Sequence, residues 1–209
     1  MTSFNKILSL SQALSQELSD VVFIGGVAVY LHTVKKAQAA IPLEASHDAD
    51  FTISFSDYGI LKDEEEITAT PRLAKHQMIV DGVEFDVYVE RLSRLIVPYD
   101  ELLAHSMVIE GIRVACLEHL LVLKLEALAH RGHSGKGQKD RRDVAKIGLL
   151  AGSRPKRALL APYMREELLL LLVDVARGPI FYELCSRNAH AAKKARTTFE
   201  NFVKAIAQP

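Results

Sequence analysis

Leu8, Leu10, Leu14 and Leu18 recur at near-helical spacing, so residues 4–19 are expected to form an amphipathic helix that covers a sheet. Val21-Val22-Phe23-Ile24 is a short β-rich run closed by Gly25-Gly26, and Val27 to His32 returns to helix-compatible residues. Residues 33–47 carry Lys35, Lys36 and Pro42 without a clear period, which predicts a loop. From Asp48 to Phe55 the period is two and the content β-branched, which predicts a strand. The acidic stretch from Asp63 to Glu66 is expected on an exposed helix or loop.

Further on, His76 to Val80, the pair Asp81-Gly82 and Val83 to Val89 predict a β-hairpin. Met107 to Ile109, Glu110-Gly111 and Ile112 to Val114 predict a second one. The period then changes. Leu117, Leu120, Leu121, Leu125 and Leu128 mark a helix of three to four turns, and Gly132 to Gly137 predict a flexible break. Lys139 to Leu150 predict another helix, followed by helical stretches near 162–175 and 180–207 punctuated by Pro155, Pro162 and Gly178-Pro179. The expected fold class is α/β (α+β): a small mixed sheet flanked by helices over 1–116, then a helical domain over 117–209. No internal repeat is visible.

Composition adds only bounds. With 209 residues, 49% of them apolar and 25% charged, the chain can bury a sizeable core. Its longest apolar runs, Ile147–Leu150 and Leu168–Val173, are far shorter than the ~20 residues of a membrane span. Met1 to Lys6 lack a charged lead and an apolar core, so no secretory signal is expected. Cys116 and Cys185 form no C-x-x-C pair, which argues against structural zinc or a disulfide framework and fits a reducing cytoplasm. The net charge is zero but uneven: residues 1–123 hold 9 Lys and Arg against 18 Asp and Glu, and residues 124–209 hold 17 against 8. A basic second half suits a polyanionic partner as well as it suits ordinary solvated helices.

Chemistry concentrates on three acids. On a strand, residues i and i+2 share a face, so Asp48 and Asp50 are expected side by side. Adjacent carboxylates repel unless a cation neutralises them, and hard oxygen ligands suit Mg²⁺. Asp86 joins them if its strand lies beside theirs. Alone, an Asp-x-Asp pair is most often surface decoration. Gly25-Gly26, after a strand and before a helix, adds to it, because glycines admit phosphate to backbone N–H groups at a helix N-terminus. Read alone, the same pair is a plain tight turn.

"FIGGVAVYLH", "HDADFTIS" and "VEFDVYVE" together resemble the signature of the DNA polymerase beta-like nucleotidyltransferase superfamily. The Gly-Gly form and its spacing to the Asp pair are closest to the AbiEii-type toxin branch. "LEHLLVLKLEALAHRGHSGKGQKDRRDVAKIGLL" resembles the helix–loop–helix of that branch. The resemblance covers roughly 20–150. It implies a nucleotidyltransferase core, with Asp48, Asp50 and Asp86 as metal ligands for Mg²⁺ (or Mn²⁺), Asp86 also helping to deprotonate the acceptor. It also implies that Gly25, Gly26, Lys124, Arg131, Lys139, Asp140 and Asp143 serve the nucleotide, Lys124 with a catalytic share. Lys124 and Arg131 are seven apart, so one helix face can carry both; salt bridges between paired helices are the plain alternative. Val27 and His47 depart from the pattern, standing where relatives often carry hydroxyl residues. His130 and His133 flank Arg131, and either phosphate contact or simple solvation fits them.

The expected function is transfer of a nucleoside monophosphate from an NTP, ATP among them, to an acceptor hydroxyl with loss of pyrophosphate. In the resembled branch that acceptor is often the tRNA 3′ end, within toxin–antitoxin pairs where a cognate antitoxin is the partner. A protein hydroxyl or an aminoglycoside-like small molecule would serve equally. The alternative is a non-catalytic nucleotide- or RNA-binding module, such as an antitoxin-type partner, with the same fold.

Overall fold

The computed structural model describes residues 4–18, 20–36, 41–64, 66–70, 72–132 and 134–207. Met1–Ser3, Ser19, part of the expected 33–47 loop, Glu65 and His133 lie outside the described residues. The chain separates into two compact units, 1–31 with 44–116, and 32–43 with 117–209. Among the described residues no helix is long and apolar enough to cross a membrane.

Among its described residues the first unit holds seven strands: β1 (Val22–Ile24), β2 (Ala49–Ile53), β3 (Ile67–Ala69), β4 (His76–Val80), β5 (Val83–Val89), β6 (Met107–Ile109) and β7 (Ile112–Val114). They form one mixed sheet in the order β3-β4-β5-β2-β1-β7-β6. Its central strands are buried, and Phe23, Phe51 and Phe85 stack across them with ring centroids 5.4 and 6.0 Å apart. Each such ring contributes about 1.5–3 kcal/mol by leaving water.

Both hairpins form where the Asp-Gly and Glu-Gly pairs stand. Asp81 and Gly82 have φ of 50° and 76°, and Glu110 and Gly111 have 50° and 76°. Positive φ at both central residues is the geometry that follows the twist of paired strands. Helix α1 (Phe4–Glu17) ties the two turns down, since Lys6 Nζ donates to the Asp81 carbonyl at 2.6 Å and Gln12 Nε2 to that of Glu110 at 2.8 Å. Its buried stripe is Ile7, Ser11 and Leu14, with Leu18 buried just past its end; Leu8 and Leu10 are only half-buried. Ser11 fits the stripe because its hydroxyl donates to the Ile7 carbonyl at 2.8 Å.

Three local expectations change. The strand of residues 48–55 ends at Ile53, and Phe55 opens helix α3 (Phe55–Glu64), where the Ser54 hydroxyl caps Asp57 N at 2.9 Å. Helix α2 runs from Gly25 to Lys36, so the first residues of the expected 33–47 loop are helical. The Gly132–Gly137 break is shorter than expected, because Ser134 accepts from Gly137 N at 3.1 Å and starts a helix at Gly135. A short helix, α4 (Tyr99–Ala104), and the edge strand β3 were not foreseen.

The second unit holds α5 (Leu117–Arg131), α6 (Gly135–Ala151), α7 (Arg157–Leu160), α8 (Glu166–Arg177), α9 (Ile180–Leu184) and α10 (Ala189–Ala207). All five leucines that mark α5 are buried. Gly148 lets α10 approach α6: a Cβ there would overlap the Phe199 ring and lie 3.0 Å from Phe202 Cδ1. Phe181, Phe199 and Phe202 continue that core with centroids 5.2 and 5.8 Å apart. The Lys36 ammonium donates to the Leu150 carbonyl near the C-terminal end of α6, where orphan carbonyls accept a cation.

Candidate active site

The sheet places two of the expected acids side by side. β2 and β5 run parallel with Asp50 opposite Asp86, and β1 pairs antiparallel with β2 so that Ile24 is opposite Asp50. One step along the chain from Ile24 comes Gly25, with φ of 67°. A Cβ at Gly25 would overlap Asp50 Oδ2 and lie 2.8 Å from its Cγ. The carboxylate thus rests on bare backbone where β1 turns into α2. Gly26 is the second residue of that helix, so both glycines stand at the helix N-terminus.

Asp48 lies one residue before β2 rather than within it, half-buried in a bend. Its Oδ1 accepts from the Ser46 hydroxyl at 3.0 Å. Ser46, one residue before His47, thus supplies a hydroxyl that orients Asp48.

Asp86 is buried and engaged on both oxygens. The Lys75 ammonium pairs with Oδ2, and the Gln77 amide donates to Oδ1 at 3.0 Å. Gln77 is opposite Asp86 in the β4–β5 register and also donates to Glu84 at 2.7 Å. Lys75 and Gln77 escaped the sequence reading. The only signal was their position at the start of a strand hairpinned to the Asp86 strand. Next to them, His76 packs its ring 4.8 Å from Tyr58, and burial, with Lys62 second, lowers its pKa.

Among the described residues no three His, Cys, Asp or Glu side chains are gathered to hold a metal ion. The donor set nonetheless fits Mg²⁺, which takes one or two carboxylates and completes its shell with phosphate and water. Two in-register carboxylates beside a glycine cradle answer to that description.

The helical unit holds a separate cluster. Lys124 Nζ lies 2.7 Å from Asp143 Oδ2 and 3.3 Å from Asp140 Oδ1, while Arg131 Nη1 lies 2.8 Å from Asp140 Oδ2. Lys124, Asp140 and Asp143 are buried, and Arg131 keeps about a quarter of its side chain exposed, at 27%. Lys139, next to Asp140, is half-buried. Spacing brought Lys124 and Arg131 onto one face of α5, and both acids come from α6. His130 is exposed and lies 3.3 Å from Glu126.

No protein-family model matches the chain. No curated protein matches it either. Solved structures do. An antigenic nucleotidyltransferase-like protein from Paracoccidioides brasiliensis is 16% identical, with a TM-score of 0.52 over 91% of this chain and 91% of that one. A protein from H. pylori, named provisionally as a nucleotidyltransferase, is 14% identical, with a TM-score of 0.51 over 97% and 94%. The chain has a nucleotidyltransferase-like α/β fold.

Proposed function

We propose that the protein is a nucleotidyltransferase that moves a nucleoside monophosphate from an NTP to an acceptor hydroxyl. The observation that carries this reading is the register of Asp50 beside Asp86, with Asp50 resting on Gly25. Clustered carboxylates do nothing for a plain phosphate binder, since they repel its ligand.

Asp48, Asp50 and Asp86 are proposed to hold Mg²⁺ or Mn²⁺. A divalent ion bound there would neutralise charge building on the phosphoryl oxygens. Gly25 and Gly26, at the N-terminus of α2, are proposed to admit a phosphate to that end of the helix. The acceptor oxygen forms a bond to the α-phosphorus, the bond from that phosphorus to pyrophosphate breaks, and the hydroxyl proton passes to Asp86. Lys124, Arg131, Lys139, Asp140 and Asp143 are proposed, on the resemblance to the AbiEii-type branch, to serve the nucleotide. The same branch suggests the tRNA 3′ end as acceptor and a toxin role with a cognate antitoxin; the basic stretch from Lys124 onward is compatible with RNA.

A second reading, a non-catalytic nucleotide- or RNA-binding module, draws on the Lys75–Asp86 pair, which neutralises one acid without any metal. Labelled NTPs incubated with Mg²⁺ and total RNA, protein or small-molecule acceptors separate the two. Label entering one fraction, and lost with Asp50→Asn, supports transfer. No label in any fraction, with NTP binding indifferent to Mg²⁺, supports the binding module.

A further inference from the structure

Lys75 is held by constrained backbone on both sides. The two residues before it, Leu73 and Ala74, both take left-handed backbone, with φ of 55° and 49°. That region is uncommon for residues with a Cβ, and two in succession persist only where surrounding contacts impose them. Those contacts are present. Arg94 N donates to the Leu73 carbonyl at 2.9 Å, and the Ser93 hydroxyl donates to that of Ala74 at 3.0 Å while accepting from Val89 N at 2.9 Å. The carbonyl of Lys75 accepts from Thr70 N at 2.8 Å and from Thr70 Oγ1 at 3.1 Å. Backbone on both sides is thereby clamped, part of it by Ser93 and Arg94, four and five residues past the end of β5, the strand of Asp86.

The outcome is a cation delivered to one oxygen of Asp86 while Gln77 takes the other. Both side chains of the pair are mostly buried, at 17% and 12% exposed, so water screens the pair poorly. We infer that Lys75 is a positioning residue for Asp86 and its counter-ion at rest, so that a divalent cation entering the carboxylate face competes with the ammonium. The inference rests on the proposed metal role of Asp86. Lys75 holds the acid in place beside Asp50 before any substrate arrives. It also weakens metal uptake by the free protein, so that an NTP, which brings phosphate ligands of its own, favours loading.

The test is direct Mn²⁺ binding to the full chain without nucleotide, followed by electron paramagnetic resonance of the free ion. Lys75→Met removes the competing charge and is expected to bind Mn²⁺ about tenfold more tightly than wild type. Lys75→Arg, which restores the charge, is expected to return to wild-type affinity. Equal or weaker binding by Lys75→Met overturns the inference; where that variant does not fold, Lys75→Gln decides by the same reading. Tighter binding without any nucleotidyl transfer keeps the inference and removes the enzyme reading. Unchanged binding with transfer intact removes the inference alone. Absence of Mn²⁺ uptake by every variant, with and without NTP, removes the metal reading and this inference together.

Discussion

The carboxylate of Asp50 packs against the α-carbon of Gly25 so closely that no side chain fits between them. Gly25→Ala therefore asks for two things at once, a left-handed alanine and a displaced carboxylate. The backbone term costs about 1–2 kcal/mol, which lowers the melting temperature by roughly 2–8 °C. The displacement is expected to reduce transfer by about two orders of magnitude, as misplaced catalytic groups do. A melt and a transfer assay on one preparation check both. A folded Gly25→Ala with full activity would contradict the placement of Asp50 in the site.

Lys124 neutralises two buried acids, Asp140 and Asp143. Replacing it with Met leaves that charge without its main counter-ion and is expected to cost about 3–5 kcal/mol in urea unfolding. Adding Asp140→Asn and Asp143→Asn to the same chain is expected to recover much of the loss. If Lys124→Met is as stable as wild type, the cluster is not structural and its role lies wholly with ligands.

Acid stability turns in part on His76. Burial, then Lys62, lowers its pKa below the ordinary 6.5, so the unfolded chain binds the extra proton first. Stability is undiminished by this group above pH 6.5 and falls as pH drops through 6.5 toward the lower folded value. His76→Gln is expected to flatten that part of the stability curve between pH 7.5 and 5. Parallel curves for the two proteins would show that His76 does not titrate differently on folding.

Gly148→Ala probes the packing of α6 on α10. The added methyl meets the rings of Phe199 and Phe202, both fully buried. Overpacking of this kind is expected to cost about 1–3 kcal/mol, measured by chemical unfolding. Phe199→Leu in the same chain makes room and is expected to restore part of it.

Local chemistry made some elements plain in advance. Asp81-Gly82 and Glu110-Gly111 each supply two residues that enter positive φ, and both hairpins formed at the expected residues. The leucines of α5 repeat with one period and face one core. Helix α3 was hidden because Phe55 and Ile60 are exposed, at 52% and 54%, and blur its apolar face. Strand β3 was hidden because an edge strand of three residues, two of them exposed, carries little pattern.

What the sequence by itself determined was the order of the main strands and helices, the two hairpin turns, and which acids and glycines could share a site. These depend on residues close together in the chain. Tertiary structure alone decided that β5 lies parallel to β2 with Asp86 opposite Asp50, that Asp50 rests on Gly25, and that Lys75 and Gln77 hold Asp86. Pairing register between distant strands is set by the whole sheet, and a slip of one residue would turn each carboxylate to the other face.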